Sequence, residues 1–237
     1  KYLAIVESAI NPRARSRVGS TGLWQFMYNT GKLFGLSVSS YVDERSDPVL
    51  ATEAACKYLA SLYTSLGDRD LALAAYNSGP GNVSKAIRRS GGYKNYWNIR
   101  HHLPRETAGY VPAFLATMYI FEYAEEHGLK STGETIRHIA TDTIQVKKMI
   151  SLEQAARVTN RSLEEIQFLN PSYKLDIIPV VKGKNYTLRL PVDALGKFIV
   201  NEENIYAFAE KEFNKREKPL PQFLEQANRV RYKVRRG

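Results

Sequence analysis

The sequence predicts an α+β chain: a mainly α-helical domain over residues 1–128, then a small strand–helix–helix–strand module over 143–195. Three observations carry this. In the first half apolar residues recur at helical spacing, most clearly Leu50, Ala54, Tyr58, Leu62 and Leu66. That half shows no convincing period-2 alternation. After a polar stretch, alternating segments at 144–147 and 186–190 bracket two helix-start signatures.

In chain order, residues 1–8 are helical in composition. Asp47-Pro48 is an N-cap with proline at the first helical position, opening a helix over 49–66 that stops at Gly67. A short helix over 70–76 ends in Asn77-Ser78-Gly79-Pro80-Gly81, and another over 82–89 stops at Gly91-Gly92. A long helix over 105–127 contains Pro112, where a kink or break is expected, and Gly128 caps it. Residues 129–142, with Ser131, Thr132 and Gly133, form the linker. Ser151 begins a capping-box helix through 158, and Ser162 begins a second through 169, closed by Asn170-Pro171. From 196 to 237 an amphipathic segment at 205–213 precedes Pro219 and Pro221, which reads as a helical spacer. Both ends read as cut from a longer protein.

Composition excludes several classes. With 43% apolar residues in 237, the chain can build a core. No apolar run reaches the ~20 residues of a membrane-spanning helix, so any membrane anchor lies in segments not present. Cys56 alone allows neither an internal disulfide nor a multi-cysteine metal site. The net charge of +10 calls for an anionic partner: nucleic acid, a membrane surface or an acidic polymer. The surplus is +4 over 1–130, +2 over 131–195 and +4 over 196–237, without an arginine-rich stripe, which argues against nucleic acid. His101 and His102 are adjacent and point differently on a regular element, so no metal is expected.

Chemistry is expected at Glu7. It ends the apolar segment 3–6, and burial there disfavours the charged form, raises the pKa and suits a general acid. At this point the sequence resembles a family. Glu7-Ser8, then Ser16, then Gln25 within Gly22-Leu23-Trp24-Gln25, and Ala75-Tyr76-Asn77-Ser78-Gly79 are similar to the family-1 lytic transglycosylases, whose domain is goose-lysozyme-like (SLT). Leu103-Pro104-Arg105-Glu106-Thr107 with Tyr110-Val111-Pro112 resembles the closing motif of the D-type membrane-bound members. The resemblance spans residues 1–128.

What it implies is cleavage of the β-1,4 bond between N-acetylmuramic acid and N-acetylglucosamine in peptidoglycan, leaving a 1,6-anhydromuramyl end. Glu7 would be the single catalytic acid and then base, with Ser16, Gln25, Met27, Tyr76, Asn77 and Tyr110 binding substrate. Tyr76 and Tyr110 also suit a core, and Trp24 either stacks on sugar or packs. No cofactor is implied, and the chain is expected to act as a monomer in the bacterial cell envelope, in the periplasm or at the outer membrane. Glycoside hydrolysis usually takes two carboxyl groups. No second acid stands in a family motif, and Asp43, Glu44 and Asp47 stay open by geometry. A hydrolytic muramidase and a non-catalytic peptidoglycan-binding scaffold are the alternatives.

The second module resembles a LysM domain, which binds N-acetylglucosamine-containing glycans, at 144–148, 151–156, 162–166, 169–171 and 186–191. Met149-Ile150-Ser151-Leu152 replaces the usual Gly-Asp-Thr-Leu, and 176–184 is a long insertion. Glycan binding and a purely structural role both remain open. Residues 232–237 look like the first strand of a further repeat. Among anionic partners the resemblance selects an acidic polymer, since peptidoglycan carries muramyl and peptide carboxylates.

Overall fold

The computed structural model describes residues 1–130 and 140–215. The strand expected at 232–237, the prolines at 219 and 221 and most of the expected linker lie outside them. Within the described residues the first domain contains α1 (Tyr2–Ser8), α2 (Tyr28–Leu33), α3 (Pro48–Leu66), α4 (Arg69–Ser78), α5 (Pro80–Arg89), α6 (Tyr96–Ile99) and α7 (Arg105–Glu122). Caps set where they start. Asp47 Oδ1 accepts from the Val49 and Leu50 N–H groups at 2.9 Å each, and Asp68 Oδ1 accepts from Leu71 N–H at 2.8 Å. Gly67 ends α3 in the left-handed region, φ 72°.

α7 does not break at Pro112, and it ends at Glu122 rather than 127. Proline removes the donor that would bond the Ala108 carbonyl. That carbonyl instead accepts from the Tyr96 hydroxyl and from Arg100 Nε, both at 2.8 Å. The helix passes through its proline because the orphaned acceptor has partners from another element. α4 is the buried centre of the domain, with Leu71, Ala74 and Ala75 packed against Val83, Ile99 and Val111. A second cluster joins Phe26 and Leu36 to Ala51, Ala54 and Ala55 of α3.

The second module has β1 (Thr141–Gln145), β2 (Ile150–Ser151), α8 (Leu152–Thr159), α9 (Leu163–Leu169), β3 (Ile177–Ile178), β4 (Thr187–Pro191), α10 (Val192–Val200) and α11 (Glu202–Lys215). β1 pairs antiparallel with β4, Ile144 opposite Leu188. β1 starts within the span read as linker. The long insertion supplies β3, which pairs with β2. At α8 the capping box is complete. At α9 only the Ser162 half forms, accepting from Glu165 N–H at 3.1 Å. α10 and α11 are more than a spacer: Phe198, Ile205, Tyr206 and Ala209 are buried in the module's own core.

Asn170 is 4% exposed, and its amide bonds the Ile166 and Arg189 carbonyls and the Arg189 N–H, all at 2.8 Å. Asn170→Ala strands three backbone groups, so the urea midpoint should fall by an equivalent of ~2–4 kcal/mol with unchanged slope.

The two domains are docked. Val42, from the first domain, lies in the core cluster of the module and bridges antiparallel to Tyr173. Asp43 N–H donates to Ser172 O at 2.9 Å, and Lys174 N–H donates to Tyr41 O at 2.8 Å.

Candidate active site

α1, the loop 16–27, the end of α4 and the start of α7 surround an open groove of about 750 Å³. The seven residues singled out from the sequence, Glu7, Ser16, Gln25, Met27, Tyr76, Asn77 and Tyr110, all line it. Glu7 sits in the last turn of α1, and the Ser8 hydroxyl fixes that turn to the loop by donating to Leu23 O at 2.9 Å. Tyr110, 7% exposed on α7, donates its hydroxyl to Glu7 Oε1.

Burial pushes the Glu7 carboxyl up to about 7; the Tyr110 hydrogen bond opposes the rise and the nearby Glu106 charge adds to it. A carboxyl at that value holds a proton near neutrality and can also give it up. Burial and the Glu7 charge push the Tyr110 phenol up, so it stays a donor.

The loop is braced from within. Ser20 Oγ lies 2.7 Å from both Ser16 Oγ and Gln25 Oε1. Gln25, at φ 47°, donates its amide to Ala14 O at 3.2 Å and Gly22 O at 2.8 Å. Its amide nitrogen therefore holds loop backbone and its oxygen the Ser20 hydroxyl, while the residue lines the groove. Tyr76 joins both readings made of it: it lines the groove, packs on the α4 core and donates to Trp24 O at 2.9 Å. Trp24 packs beside Phe26, gives its indole N–H to Thr52 Oγ1 at 2.9 Å, and also lines the groove. Met27 is 46% exposed there. Asn77 accepts from the Thr107 hydroxyl at 2.8 Å and reaches Glu106 at 3.4 Å.

Glu106 is the residue that sequence reasoning missed. It lines the groove as a second carboxylate. Its position four residues before Tyr110 on one helix, hence on the same face, was the available signal. The three acids left open go elsewhere: Asp43 pairs with Arg45, Glu44 accepts from Ser37 N–H at 2.6 Å, and Asp47 caps α3. Glu106→Gln removes a like charge, so Glu7 should lose its proton at lower pH. The alkaline limb of the kcat/KM profile should move down in pH, while Glu106→Asp should keep it near the wild-type position.

His101 and His102 do not diverge; their rings lie 4.0 Å apart in a 3₁₀ turn. Among the described residues no cluster of three or more His, Cys, Asp or Glu is placed to hold a metal, and no helix is long and apolar enough to cross a membrane. Cys56 is exposed and free.

The fold and site define a helical domain with an open groove and, on its wall, a glutamate whose pKa is raised to about 7. Residues 1–99 match the transglycosylase SLT domain. Residues 140–207 match the LysM-like domain of lytic transglycosylase MltD. The chain is 33% identical over 177 residues to membrane-bound lytic murein transglycosylase D of Escherichia coli K12, covering 73% of this chain and 38% of that protein. It is 34% identical over 127 residues to the soluble lytic murein transglycosylase of the same strain, covering 51% and 20%. The crystal structure of the 70 kDa soluble lytic transglycosylase from Escherichia coli is similar over 52% of this chain and 21% of that one, with 32% identity and a TM-score of 0.44. The chain spans well under half the length of these relatives.

Proposed function

We propose that the chain is a peptidoglycan lytic transglycosylase of the bacterial cell envelope, in the periplasm or at the outer membrane, with glycan strands as its substrate. The observation that carries this is Glu7, half-buried in a groove and held to Tyr110, with its pKa pushed up to about 7. Protonated Glu7 gives its proton to the glycosidic oxygen between N-acetylmuramic acid and N-acetylglucosamine, and the C1–O bond breaks. The muramyl acetamido oxygen stabilises C1. Glu7, now a carboxylate, takes the proton of the C6 hydroxyl as that oxygen closes on C1. The product is a 1,6-anhydro sugar, Glu7 is again protonated and no water is consumed. Ser16, Gln25, Met27, Tyr76, Asn77 and Tyr110 bind and orient the sugars.

One observation favours a second reading. Glu106 lines the same groove, and two carboxyl groups are the usual equipment for hydrolysis. Mass spectrometry of glycan released from purified sacculi separates the two. Anhydromuramyl ends, one water lighter than reducing ends, are the expected result; reducing ends alone mean a muramidase. Binding without any release of glycan means a scaffold.

A further inference from the structure

The arm at 37–46 touches the LysM-like module on one side and the groove loop on the other. On the module side, Val42 is 2% exposed within the module's core, and the Val42–Tyr173 bridge is flanked by the Asp43–Ser172 and Lys174–Tyr41 backbone hydrogen bonds. Two module lysines add side-chain contacts: Lys174 Nζ donates to Ser39 O at 2.7 Å, and Lys184 Nζ to Ser37 Oγ at 2.6 Å.

On the groove side stands Arg45. It is 7% exposed and grips Asp43, itself 2% exposed, through Nε to Oδ1 at 2.9 Å and Nη2 to Oδ2 at 2.8 Å. Its Nη1 donates to Gly19 O and Phe26 O, both at 3.0 Å. Those two carbonyls bracket the segment that carries Ser20 and Gln25. A planar guanidinium can hold a carboxylate bidentately and two carbonyls at once, which a lysine ammonium cannot. The arm and the loop also meet backbone to backbone, since a Cβ at Gly22 would fall 1.8 Å from Arg45 O. Module, Asp43, Arg45 and loop form one continuous chain of bonds, buried along its middle.

From this we infer that the LysM-like module is a buttress of the catalytic groove, with Arg45 as the positioning residue that carries its docking to the loop at 16–26. The module then raises activity without touching sugar. This rests on the reading of the groove as the glycan-cleaving site. It differs from glycan tethering in a measurable way: a tether helps only on long or insoluble strands, whereas a buttress helps on every substrate.

The test uses the full chain and a short soluble strand of alternating N-acetylglucosamine and N-acetylmuramic acid. Lys174→Ala/Lys184→Ala alters only exposed side chains of the module. It should lower kcat/KM on the short strand about three- to tenfold and speed amide exchange at Gly22 and Phe26 of the loop. Arg45→Lys should do the same, and the triple variant should add little, because changes along one strut are not additive. Unchanged kcat/KM on the short strand, or effects that multiply in the triple variant, overturns the inference. If Arg45→Lys does not fold, the lysine pair alone carries the test. If the wild type cleaves no glycan, the proposed function fails, and the exchange measurement still decides: unaltered Gly22 and Phe26 overturn the buttress.

Discussion

Replacing Glu7 by Gln should abolish glycan release while leaving the protein folded and, at alkaline pH, more stable. The Gln side chain keeps the shape and can still accept from Tyr110, yet it neither gives a proton to the leaving oxygen nor takes one from the C6 hydroxyl. General acid–base catalysis contributes about 10²–10⁴-fold per group, and here one group serves both steps, so a loss of ~10³-fold or more is expected. The stability effect follows from the raised pKa. Glu7 titrates near 4.5 in the unfolded chain and at about 7 in the folded one. The folded state therefore binds the proton more tightly. Its stability from this group is full below pH ~4.5 and is lost as pH rises through about 7. Above that, the wild type carries a half-buried charge that the Glu7→Gln variant avoids. The variant should gain ~1–3 kcal/mol at pH ~8 and nothing at pH ~4. Thermal unfolding at the two pH values, beside turbidity clearing of sacculi, checks both halves. Equal stability at the alkaline pH would mean that Glu7 is not held out of water.

Gly22→Ala is the second large effect, expected in folding as well as activity. Gly22 adopts φ +90°, and an added Cβ would meet Arg45 O at 1.8 Å and Arg45 C at 2.8 Å. The obstacle is backbone, and Arg45 cannot retreat while it holds Asp43 and two loop carbonyls. Strain from φ alone is roughly 1–2 kcal/mol. With the clash the loss should reach ~4 kcal/mol or more, at the rare end for single substitutions. Gly19 separates the two causes: its φ is +89°, but nothing lies within 4 Å of the point where a Cβ would stand. Gly19→Ala should therefore cost only the strain. Urea denaturation of both variants measures the difference, and a mild Gly22→Ala would show that arm and loop are not locked together.

Much of the site was legible because its residues sit in short local motifs. Glu7 could be marked from its apolar neighbours, whereas Ser16, Gln25, Asn77 and Tyr110 were marked by the family motifs that their segments resemble, and all line one groove. Glu106 was passed over although it stood in a quoted motif, since its relevance depends on which face of α7 meets α1. Asp43 is the converse case: the sequence leaves it open, and its carboxylate is taken by Arg45 two residues away.

The starts of α3, α8 and α9 and the outer strands β1 and β4 belong to the sequence by itself. Caps, periodicity and the polarity of near neighbours act within a few residues, and those residues are visible in order. The tertiary structure alone decided that α7 survives Pro112, that α10 and α11 complete the module's core, and that the module docks on the first domain. In the first and last of these the deciding groups include backbone carbonyls and N–H groups, at Ala108, Tyr41, Asp43, Ser172 and Lys174. Every residue carries such groups alike, so no pattern of side chains announces which of them will meet.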